Sequence, residues 1–361
     1  MTDGTQGDPR RGRAPLLPRA TIVLLGGAGV AVSAAGLRAV SGIVGPLLLA
    51  LVLVITVSPL ERALRRRLPA WVSLTVMLVV VYGVLLVFAI ALTVSAARLA
   101  DLLVGYAPQF QRLAADGADW LTGLGVTQDQ IASVAGQFDL ARLAGLARSV
   151  LNGAGGALSA LVLLLSVLFF LVLDAAPFPR LLDAAAPARP HLVAALRDFV
   201  ENTRRWLLVS AGFGVVLAVL DAVVLLVVGV PLPWLWALLA FLANFIPSIG
   251  FVVALVPPAL LALLTGGPVQ ALWVVVLFGL ISTVVQTFIA PRVVGGAVGL
   301  SGTLTFLSVL LWGVVLGPLG ALLAVPLSLL AKALLVDADP ALHWLRPVLS
   351  GTAEEDARGR S

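Results

Sequence analysis

Residues 242–258, "LANFIPSIGFVVALVPP", place three prolines, a glycine and an asparagine inside a long apolar stretch. The apolar run around them, 234–264, would be about 46 Å long as one straight helix, whereas the hydrocarbon core of a bilayer is about 30 Å thick. Two complete crossings would need about 40 residues, which the run does not have. The sequence therefore predicts an element that enters the membrane and is broken there.

A second apolar run, 304–335, is broken in the same way by the motif "LGPLG", which holds Gly317, Pro318 and Gly320. Paired apolar segments interrupted by glycine and proline are the best sequence indication of the binding site of a secondary transporter. Irregular backbone at membrane depth is tolerated only where protein or a water-filled cavity surrounds it. We therefore expect a solute or an ion to pass at the two breaks. The alternative is a pair of kinked helices that only pack together.

The composition of the whole chain is that of an integral membrane protein. Of its 361 residues, 60% are hydrophobic and 11% are charged, and the mean hydropathy is +1.10. Soluble domains carry about 25% charged residues. The formal net charge is +5, with Lys332 as the only lysine. Because the arginines lie at the ends of apolar runs and form no basic stripe, they indicate control of membrane topology and no nucleic-acid partner.

Few side chains in the sequence could carry an enzyme reaction. Cysteine is absent, which excludes disulfides and thiol chemistry, and the two histidines, His191 and His343, lie in polar segments. The sequence holds no zinc-protease, phosphate-loop or serine-hydrolase motif. We therefore predict no catalytic residues, no metal and no cofactor.

Hydrophobic runs recur along the chain and predict an all-α, polytopic membrane protein with about eight membrane segments. Arginines cluster in the N-terminal tail and in the link 61–69, "ERALRRRLP", so the positive-inside rule assigns both to the cytoplasmic side. The same alternation of sides makes the C-terminus cytoplasmic. The runs lie at about 20–36, 38–60, 70–94, 150–173, 206–229, 234–264, 268–290 and 304–335.

The pattern also divides the chain into parts. Residues 95–149 carry apolar residues at helical spacing and predict a small amphipathic helical insert outside the membrane. Residues 174–205 predict either an amphipathic segment at the cytoplasmic interface or a plain connecting helix, and the sequence favours neither. The predicted parts are a disordered cytoplasmic tail at 1–19, membrane helices at 20–94, the insert at 95–149, a membrane helix at 150–173, the cytoplasmic segment at 174–205, the membrane domain with the broken helices at 206–336, and a cytoplasmic tail at 337–361.

Polar residues inside the apolar runs are candidates for the path of a solute or ion. Asp221 lies in the middle of a predicted span, where an acid costs about 3 kcal/mol and usually faces a cavity. Its carboxyl indicates either a cation or proton site or a structural hydrogen bond between helices, and the sequence favours neither. Asn244 and Gln286 could bind a polar solute, but joining two helices is the more frequent role of such residues.

The prolines at the breaks are predicted to expose polar backbone. Pro247 and Pro318 each lack an N–H donor, so each frees a carbonyl upstream that can line a polar path. If both broken runs are re-entrant hairpins, Arg292 in "APRVVGG" lies on the cytoplasmic side, as the positive-inside rule favours; if both are tilted spans, it lies outside. The predicted path residues are Asp221, Asn244, Pro247, Gly250, Gln286, Pro291, Arg292, Gly317, Pro318 and Gly320.

Three blocks in the C-terminal half carry a resemblance to a known family. In order, they are "FLANFIPSIGFVVALVPPALLALL", "APRVVGGAVGL" and "FLSVLLWGVVLGPLGALLAVPLSLLAKALL". Their order and spacing resemble those of the autoinducer-2 exporter family of bacterial membrane proteins. The resemblance implies about eight membrane segments, cytoplasmic termini, homo-oligomers and a transport role, either export of an autoinducer-2 type signal or sodium/proton antiport.

One departure from the family pattern bears on the antiport activity. Many members carry an acid or an asparagine just before the Pro-Arg pair, whereas "VVQTFIAPR" in this chain has no acid. Asp221, on another helix, would have to take that role. Antiport through Asp221 is therefore an alternative to solute export.

We predict a transporter of the bacterial cytoplasmic membrane that moves a small polar solute, with export as the expected direction. Its expected partners are the lipid bilayer, a small polar solute or cation, and further copies of the chain. The remaining alternative is a membrane scaffold without flux. A scaffold predicts that tryptophan at Gly250 and Gly320 disturbs folding or assembly but changes no solute's distribution.

Overall fold

The computed structural model of the chain describes residues 19–106, 140–175, 177–247, 249–286 and 300–345, together with a few isolated positions. Within these residues all regular structure is helical. The helices are α1 (Arg19–Ala39), α2 (Ser41–Arg65), α3 (Ala70–Gly105), α4 (Leu140–Ala175), α5 (Phe178–Ala185), α6 (Pro190–Val228), α7 (Pro233–Ala243), α8 (Gly250–Val284), α9 (Gly302–Leu316), α10 (Pro318–Leu322) and α11 (Ala324–Lys332), followed by a π-helical turn (Ala333–Asp337) and a 3₁₀ helix (Pro340–Leu345).

Several of these helices are long and apolar enough to cross a membrane. In the part of the chain that the structure describes there are four, namely α2, most of α3, α6 and α8. The end of α4 and the short α5, which are bent by 55°, make a fifth if they are counted as one span. The predicted all-α, polytopic class is confirmed, whereas the predicted total of about eight membrane segments is not.

The helix α8 is divided in two by Gly267. This glycine has φ 79° and ψ −170°, a backbone conformation that lies outside the helical region and that residues other than glycine rarely adopt. The two halves, 250–266 and 268–284, are each about 25 Å long. Leu261 before the break and Val274 after it pack in one buried cluster, so the chain changes direction at Gly267.

The helices α3 and α4 pack against each other and against α2. Their shared core includes Met77, Leu164 and Leu168, and the Tyr82 hydroxyl donates to the Leu165 carbonyl. The helix α3 continues to Gly105, well past the predicted end of its apolar run at residue 94. Most of the predicted insert, 95–149, lies outside the described residues.

The helix α6 runs through the middle of the fold. At about 58 Å it is longer than a bilayer is thick, and it joins the end of the predicted segment 174–205 to the predicted span 206–229 without a break. Arg204 fixes α6 to the last turns of α2, since its Nε donates to the Ile55 carbonyl at 3.2 Å and its Nη2 donates to Ser58 Oγ at 2.9 Å.

These contacts define two ends of the helical bundle. The chain beyond Ser58 carries Arg62, Arg65, Arg66 and Arg67. We call this end, where Ser58 and Arg204 meet, the arginine end. The opposite end, where α6 stops at Val228, is called the far end.

Candidate functional site: two helical hairpins

The first predicted break folds into a tight helical hairpin. The helix α7 and the first half of α8 are joined by residues 244–249, and we call this unit hairpin 1. A Cβ atom placed on Gly250 would lie 1.9 Å from the carbonyl oxygen of Ala243. The two helices therefore approach so closely at the tip that only glycine fits at position 250.

Hydrogen bonds fix where hairpin 1 lies along α6. At its tip, Asn244 Nδ2 donates to the Ser210 carbonyl at 2.7 Å. At its open end, Gln270 Nε2 donates to the Val228 carbonyl at 2.8 Å. Ser210 lies about 27 Å along α6 from Val228. Hairpin 1 therefore opens at the far end, and its tip reaches deep toward the arginine end.

The second predicted break forms a hairpin of the same kind. The helix α9 is followed by Gly317 and then by α10 and α11, which return along α9; we call this unit hairpin 2. A Cβ atom on Gly320 would lie 1.9 Å from the Trp312 carbonyl oxygen. Each hairpin thus has one glycine whose hydrogen lies against a backbone carbonyl of the opposite leg.

Buried polar side chains join the two legs of hairpin 2. Trp312 Nε1 donates to Ser328 Oγ at 3.0 Å, Ser328 Oγ donates to Ser308 Oγ at 2.7 Å, and Ser308 Oγ donates to the Leu304 carbonyl at 2.6 Å. Both serines are buried, yet each finds a partner. In a membrane such bonds join helices without leaving an unsatisfied polar group.

Hairpin 2 opens toward the arginine end. The Ser301 N–H, just before α9, donates to the Leu349 carbonyl at 2.8 Å, and the end of α11 packs beside the first turns of α6. The tip of hairpin 2 lies beside Gly45 of α2, since a Cβ atom on Gly45 would be 3.2 Å from Leu319 Cδ1. Gly45 is about 20 Å along α2 from Ser58, so the tip lies about 20 Å from the arginine end.

Residues from the tips of the two hairpins belong to one buried cluster. Phe245 at the tip of hairpin 1 lies in the same cluster as Leu316 and Leu323 at the tip of hairpin 2, together with Trp206 of α6. The ring of Trp206 lies 6.0 Å from that of Phe245, edge to face. Two broken elements that open toward opposite ends therefore end in the same buried part of the bundle.

The structure places the predicted path residues in three groups. The residues of the two breaks lie at the tips of the hairpins, whereas Asp221 is separate, on α6. Gln286 is exposed at the last described position after α8, and Pro291 and Arg292 lie outside the described residues. The residues at the tips are Asn244, Pro247, Gly250, Gly317, Pro318 and Gly320.

Asp221 is buried in the middle of the predicted membrane span of α6. It is 3% exposed, about 10 Å along the helix from Val228, on the face that also buries Leu217 and Leu225. Its Oδ1 atom has no hydrogen-bond partner among the described residues. An isolated buried carboxyl oxygen is costly, so neutralisation by a proton or a cation would stabilise this position.

The predicted role of the prolines is corrected by the backbone geometry. The Ala243 carbonyl, four residues before Pro247, accepts from the Ile246 N–H at 2.9 Å and is therefore not free. Pro318 begins α10, where a missing N–H leaves no helical bond unmade. The prolines end and start helices at the tips, and the polar groups there come from Asn244 rather than from carbonyls that the prolines free.

Sequence reasoning missed several residues that position the hairpins. Gly45 allows the tip of hairpin 2 to approach α2, and Gly214 of α6 does the same for Phe241 of hairpin 1, with a Cβ contact of 3.0 Å. The serines of hairpin 2 were also missed, although Ser308 and Ser328 stand in otherwise apolar runs. That isolation in the sequence is the signal that could have identified them.

The structure also changes the test of the scaffold alternative. Even one methyl group on Gly250 or Gly320 would overlap a carbonyl oxygen. Tryptophan at either position would therefore break its hairpin whether the protein transports a solute or not. A test of function has to use a residue at the tips that can be replaced without this overlap, such as Asn244.

The fold and the site define a class of protein. A polytopic bundle with two interrupted helical hairpins that open toward opposite ends is an arrangement typical of secondary transporters. The chain matches the profile of the AI-2E family transporters over residues 23–338, and it belongs to this family.

Bacterial relatives support the assignment over most of the chain. The AI-2 transport protein TqsA of Escherichia coli K12 is 27% identical over 309 residues, covering 82% of this chain and 86% of its own. The putative transport protein YhhT of the same organism is 28% identical over 311 residues, covering 86% and 89%. A putative transport protein of Haemophilus influenzae is 30% identical over 322 residues, covering 86% and 90%. The chain is therefore a membrane transporter by family.

Proposed function

We propose that the protein exports a small polar solute across the bacterial cytoplasmic membrane, along a path between the tips of hairpins 1 and 2. The observation that carries this proposal is that the hairpins open toward opposite ends and that Phe245, Leu316 and Leu323, from the two tips, share one buried cluster. Broken elements that meet near the midplane are where transporters of inverted-repeat type bind their solutes. Small movements of one hairpin against the other would open the path to one side at a time.

The orientation follows from the arginines. The positive-inside rule assigns the arginine end, with Arg62 and Arg65–Arg67, to the cytoplasm. Hairpin 1 is then re-entrant from outside and hairpin 2 from inside, and both termini are cytoplasmic. With this orientation the solute enters beside hairpin 2 and leaves beside hairpin 1. As the family resemblance implies, we also expect several copies to assemble in the bilayer.

The class of cargo follows from the chemistry of the tips and from one relative. The tips offer the amide of Asn244 and an aromatic ring, Phe245, and neither carries a charge that would select an ion. TqsA is named for transport of autoinducer-2. A small organic signal of this type is the cargo that we propose for this chain.

Comparison of culture media tests the proposal. Cells that produce the protein and cells that lack it are grown to the same density, and small molecules in the medium and in the cell are quantified by mass spectrometry. We expect at least one polar compound to be enriched in the medium and depleted in the producing cells. No such difference across the detected polar compounds would contradict export.

A second candidate function, cation/proton antiport, is favoured by one observation. Asp221 keeps a buried carboxyl oxygen without a hydrogen-bond partner among the described residues. A carboxyl that exchanges a proton for a cation needs such an oxygen available at membrane depth. Under this alternative Asp221 is the exchange site, and the hairpins open it alternately to the two sides.

Replacement of Asp221 by asparagine separates the two candidates. Asparagine keeps the shape of the side chain but cannot release a proton, so antiport would be lost, whereas a path for a neutral solute would remain. Sodium-driven pH changes in inverted vesicles, followed with a pH-sensitive dye, measure the first activity, and the media comparison measures the second. Loss of solute export together with an unchanged pH response would contradict both assignments.

A further inference from the structure

A small polar cavity lies at the arginine end, beside hairpin 2. Its volume is about 170 Å³, and it is half open to the surroundings. It lies between the first turns of α6 and the end of α11 with the π-helical turn. The residues that line it are Asp198, Phe199, Asn202, Leu329, Lys332, Ala333 and Asp337.

The charges of the cavity exclude one class of ligand. Lys332 and Asp337 form an ion pair with an Nζ–Oδ2 distance of 3.3 Å, and both side chains are largely buried. Asp198 adds a second carboxylate, so the lining carries a formal net charge of −1. Phosphates and carboxylates would meet two acids and a lysine that is already paired. The cavity therefore disfavours anions.

The apolar part of the lining argues for an organic ligand rather than a bare ion. Phe199, Leu329 and Ala333 are buried residues that supply the smaller, apolar part of the lining of the cavity. A hydrated metal cation would gain nothing from these side chains, whereas the carbon atoms of an organic molecule would. Pockets for drug-sized ligands have volumes of roughly 300–1,000 Å³, so a cavity of this smaller volume fits a molecule of a few carbon atoms.

We infer that this cavity binds a small hydroxylated organic solute, neutral or cationic, before it enters the path between the hairpins. This inference rests on the proposed function. Asn202, Asp198 and the pair of Lys332 with Asp337 supply the donors and acceptors that hydroxyl groups require. A π-helical turn forms one edge of the cavity, and such turns occur frequently at functional sites.

The single lysine of the chain permits a direct test. An acylating reagent specific for amines modifies only Lys332 and the amino terminus, and peptide mass spectrometry follows both rates on the purified, full-length protein in lipid nanodiscs. The probes are erythritol, which is neutral, choline, which is cationic, and glycerate, which is an anion of similar size. When the free concentration of a solute is twice its dissociation constant, about one third of the protein is unoccupied, so acylation of Lys332 is slowed by about threefold.

We expect erythritol and choline to slow the acylation of Lys332, whereas glycerate should leave its rate unchanged. None of the three probes should change the acylation rate of the amino terminus. The variant Asp198→Asn should lose most of the protection by choline and keep that by erythritol. Equal protection of Lys332 by glycerate, or protection by none of the three probes, would overturn the inference.

The outcomes also separate this inference from the proposed function. Protection of Lys332 in a protein that exports nothing would overturn the proposed function and leave the cavity assignment standing. Export without protection of Lys332 would overturn the cavity assignment alone.

Discussion

Replacement of Gly320 by alanine is expected to remove most of the folded protein. The new methyl group would lie 1.9 Å from the Trp312 carbonyl oxygen and 2.7 Å from Leu316 Cβ, so the legs of hairpin 2 would have to separate. Overpacking of this kind costs about 3 kcal/mol, and here it would also strain the bond between Trp312 and Ser328. The yield of monodisperse protein and its thermal unfolding temperature in detergent measure the effect.

A matched control is available in the same hairpin. Gly313 is also helical, and a Cβ there would meet only Ala321 Cβ, at an ordinary distance of 3.7 Å. Gly313→Ala should therefore be tolerated, and it should gain the helix propensity of alanine, up to about 1 kcal/mol. If Gly320→Ala unfolds at the same temperature as the unchanged protein, the two legs of hairpin 2 do not approach each other as closely as described.

A cysteine at position 244 is expected to make transport sensitive to thiol reagents. Asn244 lies at the tip of hairpin 1, where the proposed path passes, and the chain has no cysteine of its own. A hydrophilic methanethiosulfonate reagent, which forms a mixed disulfide with a thiol and releases methanesulfinate, should react with the Asn244→Cys variant and stop most of the flux of the compound identified in the media comparison. Addition of a reducing agent should restore it, because the modification is a disulfide.

The control for this experiment lies on the outer surface of α6. Val219 is 58% exposed and faces away from the hairpins. A cysteine there would be surrounded by lipid, where the thiol stays protonated and reacts slowly. Val219→Cys should therefore keep its flux under the same treatment. Equal sensitivity of the two variants, or of neither, would contradict a water-filled path at the tip of hairpin 1.

The two breaks are the part of the fold that the sequence predicts best. The lengths of the two apolar runs exclude a single straight crossing. The positions of glycine and proline mark where each run turns, at Gly250 and at Gly317 to Gly320. These signals are local and depend on backbone chemistry. They do not require knowledge of any other part of the chain, and the turns lie where the sequence places them.

The shared cluster at the two tips could not be predicted from the sequence. Phe245, Leu316 and Leu323 are ordinary apolar residues in apolar runs, and nothing in their spacing shows that they belong to one buried cluster. The same holds for Gly45, whose role depends on a neighbour far along the chain. Contacts between distant segments follow from packing, which residue type alone does not specify in a chain this apolar.

Two boundaries that the sequence predicts between parts of the chain are not helix ends. The predicted membrane run ends at residue 94, whereas α3 continues to Gly105. The predicted boundary between the segment 174–205 and the span 206–229 lies inside α6, which is continuous. Charged residues mark where a helix leaves the membrane, but backbone hydrogen bonds continue in water as well as in lipid, so a helix need not end there.

Hairpin 2 is re-entrant only if both of its ends can be reached from the same side of the membrane. Single cysteines at Thr303 and Asp339, both exposed, are treated with a membrane-impermeant thiol reagent in right-side-out and in inverted vesicles, with Trp234→Cys as the marker for hairpin 1. We expect Thr303→Cys and Asp339→Cys to react from the same, cytoplasmic side and Trp234→Cys to react from the other. Reaction of Thr303→Cys and Asp339→Cys from opposite sides would show that α9 to α11 cross the membrane as one element and that hairpin 2 is not re-entrant.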